Sequence, residues 1–488
     1  MSDSSAPRPV DAGRAVSPLR PPLGHDGGSG PVTLVILGAS GDLTQRLLLP
    51  GIGTLLATQP DREFTLVGVD REDMEAEWHE LVRARLEEQE VPAATVERVL
   101  DDLRFEPVDL LQGTQLADLV GELEGPVVLY FALPPAVTMA ACEQLRGADL
   151  PSDLRLALEK PFAEGAESAA EFNAQLLQLV PENQIFRVDH FLGVATLLNF
   201  IGMRFSNRIL EKVWNAEDIA MVEITYDEDL ALEGRAGYYD TAGALRDMLQ
   251  SHLLQVLAIV AMEPPARIDA DELRDLKAHV LNATRLWGDD PVVASRRARY
   301  TAGVIGDREV PDYTAEEGVD ASRGTETLAQ VVVEVQTNRW TGVPFVLRSG
   351  KALGEKAKEV RITFRDVRHL PAGLTGQQGP DQLVVSLKPG PVELHLTMNA
   401  TDPTRIEQKV LTTTVGEPDL LPYGEVLAGI LDGDPLLTVR GDNAVQSWRI
   451  IEQVLGAWER DEVPLEEYAA GSAGPAGWDV GPEGPAPR

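Results

Sequence analysis

With 488 residues, 43% of them hydrophobic, the chain carries enough apolar material for a large core split over two domains. Lys and Arg number 43 against 78 Asp and Glu, a net charge of -35 that repels phosphate backbones and argues against a nucleic-acid partner. The same field opposes an anionic substrate, so any phosphate must be met by local positive groups.

Residues 1–30 are rich in Pro, Ser, Gly and Arg, lack an apolar segment, and read as a disordered tail rather than a secretory signal. No apolar run approaches the roughly 20 residues of a membrane span, so no membrane partner is expected. Cys142 is the only cysteine, which excludes an intramolecular disulfide and a cysteine-based zinc site. It fits a reducing, cytoplasmic setting and reads as a small buried apolar residue of a helix. No metal is expected.

VTLVIL at 32–37 is a buried strand, followed by GASGDL at 38–43 and an apolar-periodic helix. FTLVGV at 64–69 reads as a second strand, and a charged helix covers roughly 72–90. PVVLYFA at 126–132 is a strand stopped by Pro134 and Pro135; a helix over about 136–146 and the strand LRLALE at 154–159 follow. This alternation predicts a parallel sheet covered on both faces, a Rossmann-like α/β domain over 31–189. After about residue 190 the pattern changes. A long helix begins near Ala242, and from about 327 come TLAQVVVEVQ, VPFVLRSG, EVRITFRD, DQLVVSLKPG, PVELHLTMNA and RIEQKVLTTTV. They predict a larger α+β domain over 190–468 with a mostly antiparallel sheet, and a flexible tail over 469–488. No internal repeat is present.

Gly38, Ser40, Gly41, Asp42 and Leu43 lie between a buried strand and a helix. Glycine there lets backbone N–H groups approach a pyrophosphate, and the helix N-terminus favours its charge. A Gly-x-x-Gly turn alone is equally a plain structural turn; its place after the first strand favours a nucleotide. Asp70 and Arg71 end the second strand. The carboxylate suits a ribose 2′-hydroxyl, as in NAD, and the guanidinium a 2′-phosphate, as in NADP. A solvated Asp-Arg-Glu-Asp turn is the alternative. Use of both NADP and NAD is expected.

Five segments carry a family resemblance: Gly38–Pro50 (GASGDLTQRLLLP), Leu158–Phe162 (LEKPF), Phe186–Gly193 (FRVDHFLG), Gly234–Pro265 (GRAGYYDTAGALRDMLQSHLLQVLAIVAMEPP) and Trp340–Lys356 (WTGVPFVLRSGKALGEK). From about residue 31 to 467 the chain resembles the glucose-6-phosphate dehydrogenase family. Oxidising an alcohol needs a base for the hydroxyl proton, and imidazole suits that near neutral pH. His252 sits among Leu245, Met248, Leu249, Leu253, Val256 and Leu257, where a satisfied core histidine is the ordinary reading. The resemblance makes it the general base, with Asp189 holding its ring. It also implies that Asp247, Glu228, Lys351 and Lys356 contact the sugar hydroxyls or the phosphate end. It places Lys160 against both sugar and nicotinamide, with a cis bond to Pro161. Asp247 and His252 are five residues apart, about 140° around a regular helix, so spacing does not bring them to one face.

The resemblance implies oxidation of C1 of glucose 6-phosphate to the 6-phospho-1,5-lactone, at the entry of the pentose phosphate pathway, by a homodimer or tetramer. The alternatives are a dehydrogenase of a free or differently substituted hexose, and a silent nucleotide-binding regulatory paralogue. Retention of Asp189, His252, Lys160 and Asp247 argues against the last. The chain departs from the family motif where Phe191, Val194 and Ala195 stand for Tyr, Lys and Glu, and where Gln45-Arg46 stands for Lys-Arg. Of the family's histidine, tyrosine and lysine that hold the 6-phosphate, only His190 remains. Each lost charge-assisted hydrogen bond is worth about 1.5–3 kcal/mol, so a weak phosphate pocket is expected unless residues such as Lys356 or Arg204 take over.

Overall fold

The computed structural model describes residues 31–478, apart from residues 194, 235 and 417 and the side chains of 195–198. The tail expected at 1–30, the position of Val194 and the chain beyond Trp478 lie outside the described residues.

The apolar run Val32–Leu37 (β1) is the heart of the first sheet, with Leu34 to Leu37 fully buried. Burying one such side chain contributes roughly 1.5–3 kcal/mol. β2 (Phe64–Asp70), β3 (Arg104–Pro107), β4 (Val127–Phe131), β5 (Leu154–Glu159) and β6 (Ile185–Val188) join it in the order β6-β5-β4-β1-β2-β3, all parallel. The order reverses between β1 and β4. A crevice therefore opens outside their carboxyl ends, where doubly wound sheets bind ligands. A seventh strand, Thr438–Val439, pairs antiparallel with β6. The helix before it, Pro422–Asp432, lies on the helix Leu49–Thr58, and a Cβ at Gly51 would meet the Tyr423 Cβ at 2.9 Å. Residues 422–439 thus return from the second half of the chain to complete the first sheet. Cys142 is buried in the helix Pro135–Gln144, and burial pushes its thiol up to about 12, which makes it inert.

All six strand segments expected after residue 327 are present, in a sheet of eleven strands. The sheet is mostly antiparallel. Its middle strand is β7 (Ile219–Asp227), unforeseen from the sequence, which pairs parallel with Phe345–Gly350 and antiparallel with Ala357–Phe364. The helix expected near Ala242 begins at Ala236 and breaks at Gly243, whose φ is 66°. It resumes as a π-helix over Leu245–Leu253 and ends as Leu254–Ala261, buried at every residue between the sheet and its flanking helices.

The loose tail expected from 469 is packed as far as Trp478. Gly354 N donates to Ser472 O at 2.8 Å, and the Trp478 indole donates to Glu466 Oε1 at 3.1 Å. A Cβ at Gly471 would lie 1.9 Å from Val304 O, so glycine here serves close backbone packing rather than looseness.

Candidate active site

The glycine loop sits on the crevice between β1 and β4. Gly38 has φ +91°, and a Cβ there would stand 2.5 Å from Ala132 O, at the end of β4. Gly38 and Ala39 both donate to Val69 O, and Thr44 Oγ1 donates to Gly38 O at 2.8 Å. The backbone is thereby held bare where a helix starts at Asp42, a cradle that a pyrophosphate fits. On one side of the loop a cavity of about 390 Å³ is lined by Gly38, Ser40, Asp70, Arg71, Asp109 and Val137. Asp70 is anchored there. Its Oδ2 accepts from Ser40 Oγ at 2.6 Å and Ser40 N at 3.1 Å, and its Oδ1 accepts from Arg71 N at 2.8 Å. The Arg71 side chain is exposed and only loosely paired, at 3.8 Å, with Glu72. An anchored carboxylate and an exposed guanidinium thus share the rim of this cavity.

On the other side lies a cleft of about 670 Å³ that brings together Gly41, Asp42, Leu43, Lys160, His190, Glu228, Asp247, His252 and Lys351. Asp247 and His252 meet in it because of the break at Gly243. A Cβ at that glycine would collide with the Glu326 carboxylate, which instead accepts from Leu245 N at 2.9 Å. The segment then runs as a π-helix, whose i→i+5 bonding aligns residues five apart. The regular-helix expectation of separate faces is corrected accordingly.

Asp189, directly after β6, lies behind His252 with its Oδ1 2.6 Å from His252 Nδ1; both side chains are buried. Burial opposes charge on Asp189, but His252, His190 and Lys160 outweigh it and hold the carboxyl below its usual range. Burial keeps the His252 imidazole below its usual range, against the pull of Asp189. The imidazole is therefore neutral near pH 7, as a proton acceptor must be. Activity needing it should persist through pH 6.5 and fail only as pH drops through the lowered value. The acid limb of kcat/KM measured between about pH 4.5 and 8 checks this; a limb above the ordinary imidazole value contradicts it.

Lys160 directly follows β5, with a cis bond to Pro161, and its Nζ is 2.9 Å from Asp247 Oδ1. Burial opposes both charges, yet the pairing prevails: Asp247 falls to about 2 and Lys160 rises. Lys351 Nζ pairs with Glu228 Oε2 at 3.0 Å. Lys356 does not line the cleft; it is largely exposed and pairs with Asp229 at 3.1 Å. His190 is pushed down to about 3 by burial and by neighbouring His252, so it offers a neutral donor rather than a charge. Phe191 stacks on His252 at 4.0 Å with 13° between the planes. Gln45 lies away from the cleft, donating to Ser40 O at 2.7 Å, so its substitution takes nothing from the sugar side. Arg204 is buried against Val260 O and cannot serve there either.

Sequence reasoning missed Glu159, Tyr238, Tyr239 and Tyr423, which also line the cleft. Burial pushes Glu159 up to about 7 against the hydroxyls of Tyr130 and Tyr423. The first three stand inside segments already singled out. Tyr423 carried no local signal, because only the returning helix Pro422–Asp432 brings it to His190, stacked at 5.5 Å.

A nucleotide cradle and a buried acid–base pair meeting across one glycine loop are the requirements of a dehydrogenase that uses a nicotinamide dinucleotide, and the molecule is of that class. Residues 35–199 match the family model for the NAD binding domain of glucose-6-phosphate dehydrogenase, and residues 201–480 match that for its C-terminal domain. The chain belongs to the glucose-6-phosphate dehydrogenase family. It is 37% identical to the glucose-6-phosphate 1-dehydrogenase of Gluconobacter oxydans, over 91% of this chain and 94% of that one. To the Treponema pallidum enzyme it is 35% identical, over 96% and 97%. The crystal structure of the Mycobacterium avium enzyme superposes with a TM-score of 0.80 at 32% identity, covering 91% of this chain and 95% of that one. A glucose-6-phosphate dehydrogenase solved with its substrate glucose 6-phosphate gives 0.81 at 27% identity, covering 91% and 96%.

The cofactor is NADP or NAD. Asp70→Ala is expected to raise the preference for NADP and Arg71→Ala to lower it, read as the ratio of kcat/KM for the two cofactors. A wild-type enzyme confined to NADP would show that the carboxylate does not address the ribose.

Proposed function

We propose that the chain oxidises the C1 hydroxyl of glucose 6-phosphate to the 6-phospho-1,5-lactone, with NADP or NAD as hydride acceptor. The observation that carries this is the Asp189–His252 pair facing a cleft continuous with the glycine loop. His252 Nδ1 is committed to Asp189, which leaves Nε2 to take the hydroxyl proton. Asp189 then stabilises the imidazolium. The Lys160–Asp247 pair and the Lys351–Glu228 pair fix donors and acceptors around the sugar ring. When bound, the nicotinamide supplies the hydride acceptor at its C4.

Absorbance at 340 nm with glucose 6-phosphate, glucose and other hexoses, each with both cofactors, tests the reading. Reduction driven by glucose 6-phosphate is expected; no reduction with any sugar would sink it. The free-hexose alternative draws on Phe191, which lacks a hydroxyl for a phosphate, and the same panel decides it. We place the enzyme in the cytoplasm as a homodimer or tetramer. Exposed Met398, Val410 and Leu411 on the strands Pro391–Asn399 and Arg405–Thr414 support pairing through the second sheet. No helix among the described residues is long and apolar enough to cross a membrane.

A further inference from the structure

The substitutions at Phe191 and Val194 leave open what would meet a phosphate in a chain whose net charge is -35. Tyr226 and Glu228 line the cleft, and both contact a lysine behind them that the motifs did not flag, Lys358. Strand register sets Lys358 across from Tyr226, and its Nζ lies 4.2 Å from the centre of that ring. Tyr226 neighbours Phe191 at 5.0 Å, and Phe191 stacks on His252. A row of rings therefore runs from the base to Lys358. Glu228 bridges two ammonium groups, Lys358 on Oε1 at 2.9 Å and Lys351 on Oε2 at 3.0 Å.

Lys388 follows the strand Gln382–Ser386, and the bond from Leu387 N to Lys358 O, 2.7 Å, brings it alongside. Its ammonium is held below the usual range by burial, then by Lys358 next to it, with Lys356 contributing. Four lysines (351, 356, 358 and 388) thus gather around two carboxylates, Glu228 and Asp229. Like charges drawn together raise the energy of the empty site, and an arriving anion relieves it.

We propose that Lys358 and Lys388 form the anion subsite that takes the substrate's 6-phosphate, replacing the tyrosine and lysine that the family motif carries where Phe191 and Val194 stand here. This rests on reading the cleft as a sugar-phosphate site. It also assigns the specificity for a phosphorylated hexose to strands of the second sheet rather than to the segment after β6. Lys358 is largely buried beside Glu228, whereas Lys388 is exposed over the residue as a whole, with only its ammonium partly covered by its neighbours, so Lys388→Met carries little folding risk.

The test measures glucose 6-phosphate binding by calorimetry alongside KM, for wild type, Lys358→Met, Lys388→Met and the double variant. Cofactor binding on the same samples reports an intact fold. Each single change should weaken glucose 6-phosphate binding and raise its KM by roughly 10- to 100-fold, the value of a charge-assisted bond. Lys388→Arg should retain most of the affinity. Affinity unchanged in Lys388→Met and in the double variant would overturn the subsite. Binding of glucose 6-phosphate that is lysine-dependent but followed by no cofactor reduction would instead leave the subsite standing and remove the catalytic reading. Failure of the wild type to bind glucose 6-phosphate would remove both.

Discussion

His252→Asn is expected to abolish turnover while leaving cofactor binding largely intact. Asparagine keeps a polar side chain of similar reach but cannot accept a proton near neutral pH. Loss of a general base costs roughly 10²–10⁴-fold in rate. The proposed cofactor cradle centres on Gly38, Ser40 and Asp70, on the far side of the loop, so its affinity should not follow. Stopped assays at high enzyme concentration, with cofactor titrated by fluorescence, separate the two effects. Turnover near wild type would remove His252 from the chemistry.

Asp189→Asn should be nearly as damaging, for a subtler reason. The carboxylate accepts from His252 Nδ1, which fixes the proton on that nitrogen and leaves Nε2 free to act as base. An amide nitrogen facing Nδ1 would donate instead, moving the ring proton to Nε2 and blocking it. In hydrolase triads the corresponding change lowers kcat by roughly 10⁴, and a loss of that order is expected here with KM for the cofactor little changed. A variant that retained more than about a tenth of wild-type kcat would mean that the tautomer is fixed by other contacts.

The sequence made some of this legible and hid the rest for identifiable reasons. Val32–Leu37 and the glycine loop announce themselves because a buried parallel strand is an unbroken apolar run and a phosphate turn needs glycine. The proposed acid–base residues came through family motifs, since no periodicity distinguishes His252 from a core histidine. β7 was missed although Val222–Asp227 alternates apolar and polar residues as a half-buried strand does, because it stands more than a hundred residues before the run of strands it joins. The meeting of Asp247 with His252 depends on Glu326 capping the helix restart, a contact between residues eighty-one apart that no local window contains. Lys358 and Lys388 become neighbours only through the register of Ala357–Phe364 with Gln382–Ser386.

The strand Thr438–Val439 and the helix Pro422–Asp432 have a consequence for how the molecule is made. On the ribosome, residues 31–188 emerge first and already contain the cradle, yet β6 keeps an open edge and the helix Leu49–Thr58 an uncovered apolar face. Both are sealed only when the 422–439 segment arrives, late in synthesis. Contacts of such long sequence separation form slowly, and an unpaired edge invites aggregation while it waits. The nucleotide half is therefore not a detachable module. Its completion is tied to the arrival of the substrate half, so a chain cut short before residue 422 would carry a nucleotide fingerprint on an unfinished sheet.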